Sequence, residues 1–144
     1  MPLLARAFVK AAFLYLLVAA LLAALMMLDR WLGFSRWLRA VYLSQLHLLV
    51  VGWITQLAFG VAYWIFPRLL RSQGRQPRGP DVVTWAVLIS LNAGLVMRFA
   101  VEPLYLMGPS DWLGALMAVS GVLQALAVLG FGWLIWDRVR PMET

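Results

Sequence analysis

Val41–Phe66, VYLSQLHLLVVGWITQLAFGVAYWIF, contains no Asp, Glu, Lys or Arg. It is longer than the roughly 20 residues that a helix needs to cross a hydrocarbon core. Lipid offers no partners to unpaired backbone N–H and C=O groups, so a segment at that depth has to be helical. The few polar residues are ordered rather than scattered. At about 100° per residue, Gln45, Gly52, Gln56, Phe59 and Tyr63 fall on one stripe, with Gly60 at its edge. Small residues and amides on one face are the means by which membrane helices approach closely and bond to each other. His47, the single histidine of the chain, falls on the other face with Val51, Ile54, Ala58, Val61 and Ile65.

Outward from this segment the pattern repeats. Val9–Leu28 precedes it, and Val82–Val101 and Trp112–Trp136 follow, each apolar and of spanning length. The first run follows Arg6 and Lys10 as a signal peptide would. It is longer than an h-region and lacks a polar cleavage segment, so it is expected to stay as an anchor. Of the 144 residues, 64% are hydrophobic and 12% charged, and the mean hydropathy is +0.85. A globule this small keeps much of its surface exposed, and cannot hide that much apolar side chain from water. The expected fold is all-α: one integral-membrane four-helix bundle over residues 1–144, with spans near 9–28, 41–66, 82–101 and 112–136.

The net charge of +6 and pI near 10.8 do not point to nucleic acid, because the Lys and Arg sit in short clusters between the apolar runs. There they act as topology signals and meet anionic headgroups. Arg6, Lys10, Arg68, Arg71, Arg75, Arg78, Arg138 and Arg140 fall on one side, against Arg30, Arg36, Arg39 and Arg98 on the other. By the positive-inside rule the first side is cytoplasmic, giving an N-in/C-in multi-pass protein of the cell's inner (plasma) membrane. Trp31, Trp37, Trp64, Trp85, Trp112, Trp133 and Trp136 fall near the span ends, as an interfacial belt does. Trp53 alone lies near mid-depth.

Polar groups inside the other spans are few. Asn92 reads as a packing amide, and Gln124 with Gly121 as a packing pair. Arg98 and Glu102, four apart, can pair on one helical face near the outer surface. The plain interpretation of that pair is a snorkelling ion pair at a helix end. The functional one is that Arg98 neutralises a cofactor carboxylate, a propionate, which suits a guanidinium. For His47 the alternatives are an axial ligand to haem iron or a bond to a neighbouring helix. No second histidine stands ready to act with a serine, no carboxylates pair within a span, and no phosphate-binding glycine loop occurs. With no cysteine, disulfides, thiolate metal sites and covalently attached haem are excluded.

The segment from His47 through Gly52, Gly60 and Tyr63 to Pro67-Arg68 resembles the second helix of subunit I in the haem–copper oxidase superfamily. It is most similar to the branch of C-type oxidases and nitric oxide reductases, and Met1–Leu28 is similar to that family's first helix. The resemblance implies that His47 is an axial ligand to a low-spin haem b near the outer side, with Arg98 as a propionate contact. A family catalytic subunit has many more helices, and its catalytic copper–haem centre takes histidines that this chain lacks. The chain is therefore not expected to be a catalyst alone. A six-coordinate haem would need a second ligand, which a second copy's His47 supplies in a homodimer; Met97 and Met107 are alternatives. The expected role is electron transfer or small-gas sensing by a homo-oligomer in the lipid bilayer, within or apart from a larger respiratory complex. The alternative is a non-catalytic accessory subunit of a larger oxidase or nitric oxide reductase, packing through Gly52, Gly60 and Gly121.

Overall fold

The computed structural model describes residues 1–65 and 81–136, all of them helix or short connection, with no strand among the described residues. Helix α1 spans Leu3–Leu32, and the short α2 spans Arg36–Ala40. The second span is one continuous rod from Tyr42 to Ile65: α3 (Tyr42–His47), a π-helical segment (Leu48–Thr55) and α4 (Gln56–Ile65). Helices α5 (Asp81–Met107) and α6 (Asp111–Trp136) complete the fold. The chain is thus all-α, with four helices long and apolar enough to cross a membrane: Leu3–Leu32, Tyr42–Ile65, Val82–Met107 and Asp111–Trp136. The basic loop assigned to the cytoplasmic side and the closing Pro67-Arg68 lie outside the described residues.

Helix α1 ends where Gly33 takes the left-handed conformation, φ 66°, and its N–H donates to the Asp29 carbonyl at 2.6 Å. The chain then reverses, and the second span runs back antiparallel to α1. Glycines set how close the two come. A Cβ on Gly60 would meet Phe8 at 2.9 Å, and one on Gly52 would meet Tyr15 and Leu95 at 2.8 Å. Helices α5 and α6 form the second hairpin. There Gly94 brings α5 against the Ser120 carbonyl of α6, where a Cβ would stand 2.9 Å away. Ser90 Oγ donates across to the Leu123 carbonyl at 2.8 Å. The sequence marked Gln124 with Gly121 as a packing pair, and Gln124 does pack here, its Cγ 3.0 Å from where a Cβ on Gly94 would stand. In the structure Gly121 has nothing within 4 Å of a Cβ, because it lies one position past the seam that Ser120 occupies.

The hairpins meet through an apolar cluster at the end holding the N-terminus. It includes Leu4, Phe8, Tyr63, Val87, Phe131 and Leu134, and the Phe59 and Phe131 rings stack at 3.8 Å. The outward faces stay bare: Leu14, Leu17, Leu21, Val122, Leu126 and Leu129 are all exposed. Contiguous apolar surface of that kind requires lipid or another apolar covering.

Of the expected stripe in the second span, Gln45, Gly52, Gln56 and Tyr63 are buried and Phe59 is only partly so, while Gly60, expected at the edge, is buried. The π segment is what the 100° wheel missed. Buried Leu48, Gly52, Gln56 and Gly60 recur every fourth residue. On an α-helix each such step drifts by about 40°. The wider turn of a π-helix absorbs the drift and keeps the line facing the core. Thr55 helps hold it, donating its hydroxyl to the Val50 carbonyl five residues back at 2.8 Å.

Candidate functional site

Polar side chains of α3 and α5 converge at the end of the bundle that carries Gly33–Ser35 and Gly108–Ser110. Glu102 is their centre. Pro103 follows it inside α5; lacking an N–H, Pro103 releases the Phe99 carbonyl from its intrahelical bond and loosens that turn. Glu102 is 3% exposed. Its Oε1 accepts from Arg98 Nη2 at 3.2 Å, and its Oε2 accepts from Ser44 Oγ at 2.8 Å. The pairing of Arg98 with Glu102 is as the spacing indicated, but not its character. Glu102 is no snorkelling group at a helix end: it is buried and bridges α5 to α3, because Ser44 opposite supplies a hydroxyl, a contact between helices that no spacing along one helix discloses.

His47 lies beside this cluster. Its Nδ1 is 2.9 Å from the Leu43 carbonyl and 4.0 Å from Glu102 Oε2. A carbonyl can only accept, so Nδ1 carries the proton of that bond. Nε2 is then the lone-pair nitrogen, and it has no hydrogen-bond partner among the described residues. The side chain is 30% exposed. The wheel set His47 opposite the buried stripe. In the structure it is half-buried, one turn from buried Ser44 and next to buried Leu48.

Arg98 is half-committed. Its Nη2 is bonded to Glu102, while its Nε is buried with no partner among the described residues. The guanidinium therefore keeps unused donor capacity next to His47's neighbour Glu102.

A second polar group holds the mid-depth of the bundle. Asn92 accepts from Tyr15 Oη at 2.7 Å and from Gln56 Nε2 at 3.5 Å, and donates to the Leu88 carbonyl at 2.7 Å. Asn92 is thus the packing amide it was expected to be. Gln45 acts similarly, donating to the Ala19 carbonyl at 3.4 Å.

One residue with a structural role belongs to none of the motifs above. Asp29, 2% exposed, accepts from the Ser35 N–H at 2.6 Å and from Arg39 Nη1 at 3.0 Å, and so folds the 33–41 connection onto the end of α1. A lone carboxylate four residues before a glycine, with arginines following, was the available signal. Among the described residues no group of three or more His, Cys, Asp or Glu could hold a bare metal ion. No family model, curated protein or solved structure matches the chain.

Proposed function

We propose that this chain is a haem-b-binding membrane protein related to subunit I of the haem–copper oxidases, with His47 as the axial ligand. The observation that carries the proposal is the state of the His47 ring. Nδ1–H bonded to the Leu43 carbonyl fixes the tautomer and the ring orientation, as such a bond does in metal-ligating histidines. Nε2 stays unpartnered among the described residues on a partly exposed side chain.

The donor set fits haem and not a bare ion, since one imidazole is a normal axial contribution and a mononuclear site would need more ligands. When bound, haem would supply one-electron chemistry or reversible gas binding. This chain's part is to present Nε2, to hold the ring by Leu43, and to offer the exposed part of the Arg98 guanidinium to a propionate while Glu102 keeps it in place. Because His47 borders the outside of the bundle, the group would lie between chains. Two copies of His47 on opposite faces would make the homodimer the functional unit. With the termini facing the cytoplasm, this site would lie in the outer half of the plasma membrane. Labelling of Gly108→Cys by an impermeant thiol reagent in intact cells tests that orientation; a shielded cysteine would invert it.

The test of the site is a visible spectrum of the detergent-purified chain and of His47→Ala. The wild-type chain should show a Soret band, and the variant should lose both haem and oligomer. Wild-type protein without iron, or full haem content in His47→Ala, would overturn the proposal. The accessory-subunit alternative relied on Gly52, Gly60 and Gly121 as contacts with a partner. Gly52 and Gly60 are filled from within the chain, which leaves only Gly121 open to one.

A further inference from the structure

We propose that the groove between the end of α1, α2 and the start of α3 binds an anionic phospholipid, its phosphate at the arginines and an acyl chain along α1. The groove measures about 510 Å³, within the range of small-molecule sites. His47 does not line it, so this inference stands apart from the haem proposal.

Its lining is divided by chemistry. On the α1 side Ala23, Met26 and Met27 form an apolar slot, closed over by Leu38 of α2. At the loop end, where headgroups meet a spanning helix, the lining turns polar with Arg30, Arg39 and Tyr42, while Gln45, bonded to the Ala19 carbonyl, closes the deep end of the slot. Asp29 also reaches the groove, but it is spent on Arg39 and the Ser35 N–H. The balance is therefore positive. Arg30 has no ion-pair partner among the described residues, and Arg36 of the adjoining α2 has none either. Arg39 engages Asp29 through Nη1 alone, and its side chain is 58% exposed, so the rest of the guanidinium fork is available to phosphate oxygens. A free anion would satisfy the arginines but leave Ala23, Met26 and Leu38 bare. A zwitterionic lipid would fill the slot but bring its own cation to the arginines. Only an anionic amphiphile answers both halves.

Native mass spectrometry of the whole chain released from micelles tests this, using phosphatidylglycerol and phosphatidylcholine of identical acyl chains. One phosphatidylglycerol per chain should survive activation that strips phosphatidylcholine, and millimolar inorganic phosphate should not displace it. Arg30→Gln, at an exposed side chain, should weaken retention about fivefold, the effect of about one basic residue at a membrane surface. Ala23→Phe, which blocks the slot without touching a charge, should weaken it at least as much. Equal retention of the two lipids would mean an annular layer only, and displacement by phosphate a soluble-anion site. Either result overturns the proposal, as does full retention in Arg30→Gln. If Ala23→Phe does not fold, Arg30→Gln decides alone.

Discussion

The two ends of the bundle are built by different physics. The end holding the N-terminus is closed mainly by apolar shape, with Leu4, Phe8, Phe59, Phe131 and Leu134 packed around the buried Tyr63 ring. The opposite end has an apolar cluster of its own, with Leu22, Val41, Leu48 and Leu95, but adds directional bonds to it: Glu102 ties α5 to α3 and Asp29 ties the 33–41 connection to α1. In water the apolar end would dominate stability. In lipid the surroundings are as apolar as the core, so burial there earns no transfer energy and only packing remains. Directional bonds keep their value, because a buried charge without its partner has nowhere better to go. The end that fixes the geometry of His47 should accordingly be the more stable of the two.

The largest expected effect follows at Glu102. Glu102→Leu removes the acceptor of both Arg98 and Ser44 and leaves a guanidinium that is 23% exposed without its counter-ion. A loss of about 3 kcal/mol in reversible unfolding from micelles is expected. Replacing both partners, Arg98→Leu with Glu102→Leu, should recover most of it, since an apolar pair leaves no orphaned charge. A single variant within about 0.5 kcal/mol of wild type would remove the contrast between the ends.

Which of these features the sequence discloses depends on whether they are local. Arg98 and Glu102 are four apart on one helix, so their pairing is legible from spacing alone, as are the four spans and the Gln45–Tyr63 stripe. The burial of Glu102 is not legible, because it depends on where Ser44 falls after α3 has packed against α5. The π segment hides for a related reason. Its signal is a four-residue recurrence, Leu48–Gly52–Gln56–Gly60, that a fixed 100° wheel reads as drift. Gly121 and Gly94 are equivalent as letters. Only the seam between α5 and α6 decides that Gly94 is filled and Gly121 is open.

The intermediate effect is at the apolar end. Phe131→Ala removes the ring stacked on Phe59 at 3.8 Å. In a soluble core such a truncation costs about 3–5 kcal/mol, of which the transfer of the ring from water is a large part. With that part absent in lipid, about 1–2 kcal/mol for lost packing is expected. Unfolding measured alongside Glu102→Leu checks the order directly. A cost near 4 kcal/mol would show that this end meets water on unfolding, and the comparison would fail.

The smallest effect sharpens the comparison at the polar end, where backbone rather than side chain carries the turn. Gly33 holds φ 66°, and a Cβ there would meet nothing within 4 Å. Sterics against neighbours therefore play no part in any penalty. What remains is the intrinsic cost of the left-handed region for a residue with a Cβ, about 1 kcal/mol for Ala. Asn tolerates that region better than Ala, through its short polar side chain. Gly33→Ala should thus lower unfolding stability by about 1 kcal/mol, and Gly33→Asn by clearly less. The ranking matters more than the size, because a loss of side-chain room would instead penalise Asn more than Ala. If the two variants are equally stable to wild type, the turn is not held at positive φ. The Gly33 N–H bond to the Asp29 carbonyl would then not be what stops α1, and Asp29 would have to position the 33–41 connection through its carboxylate alone.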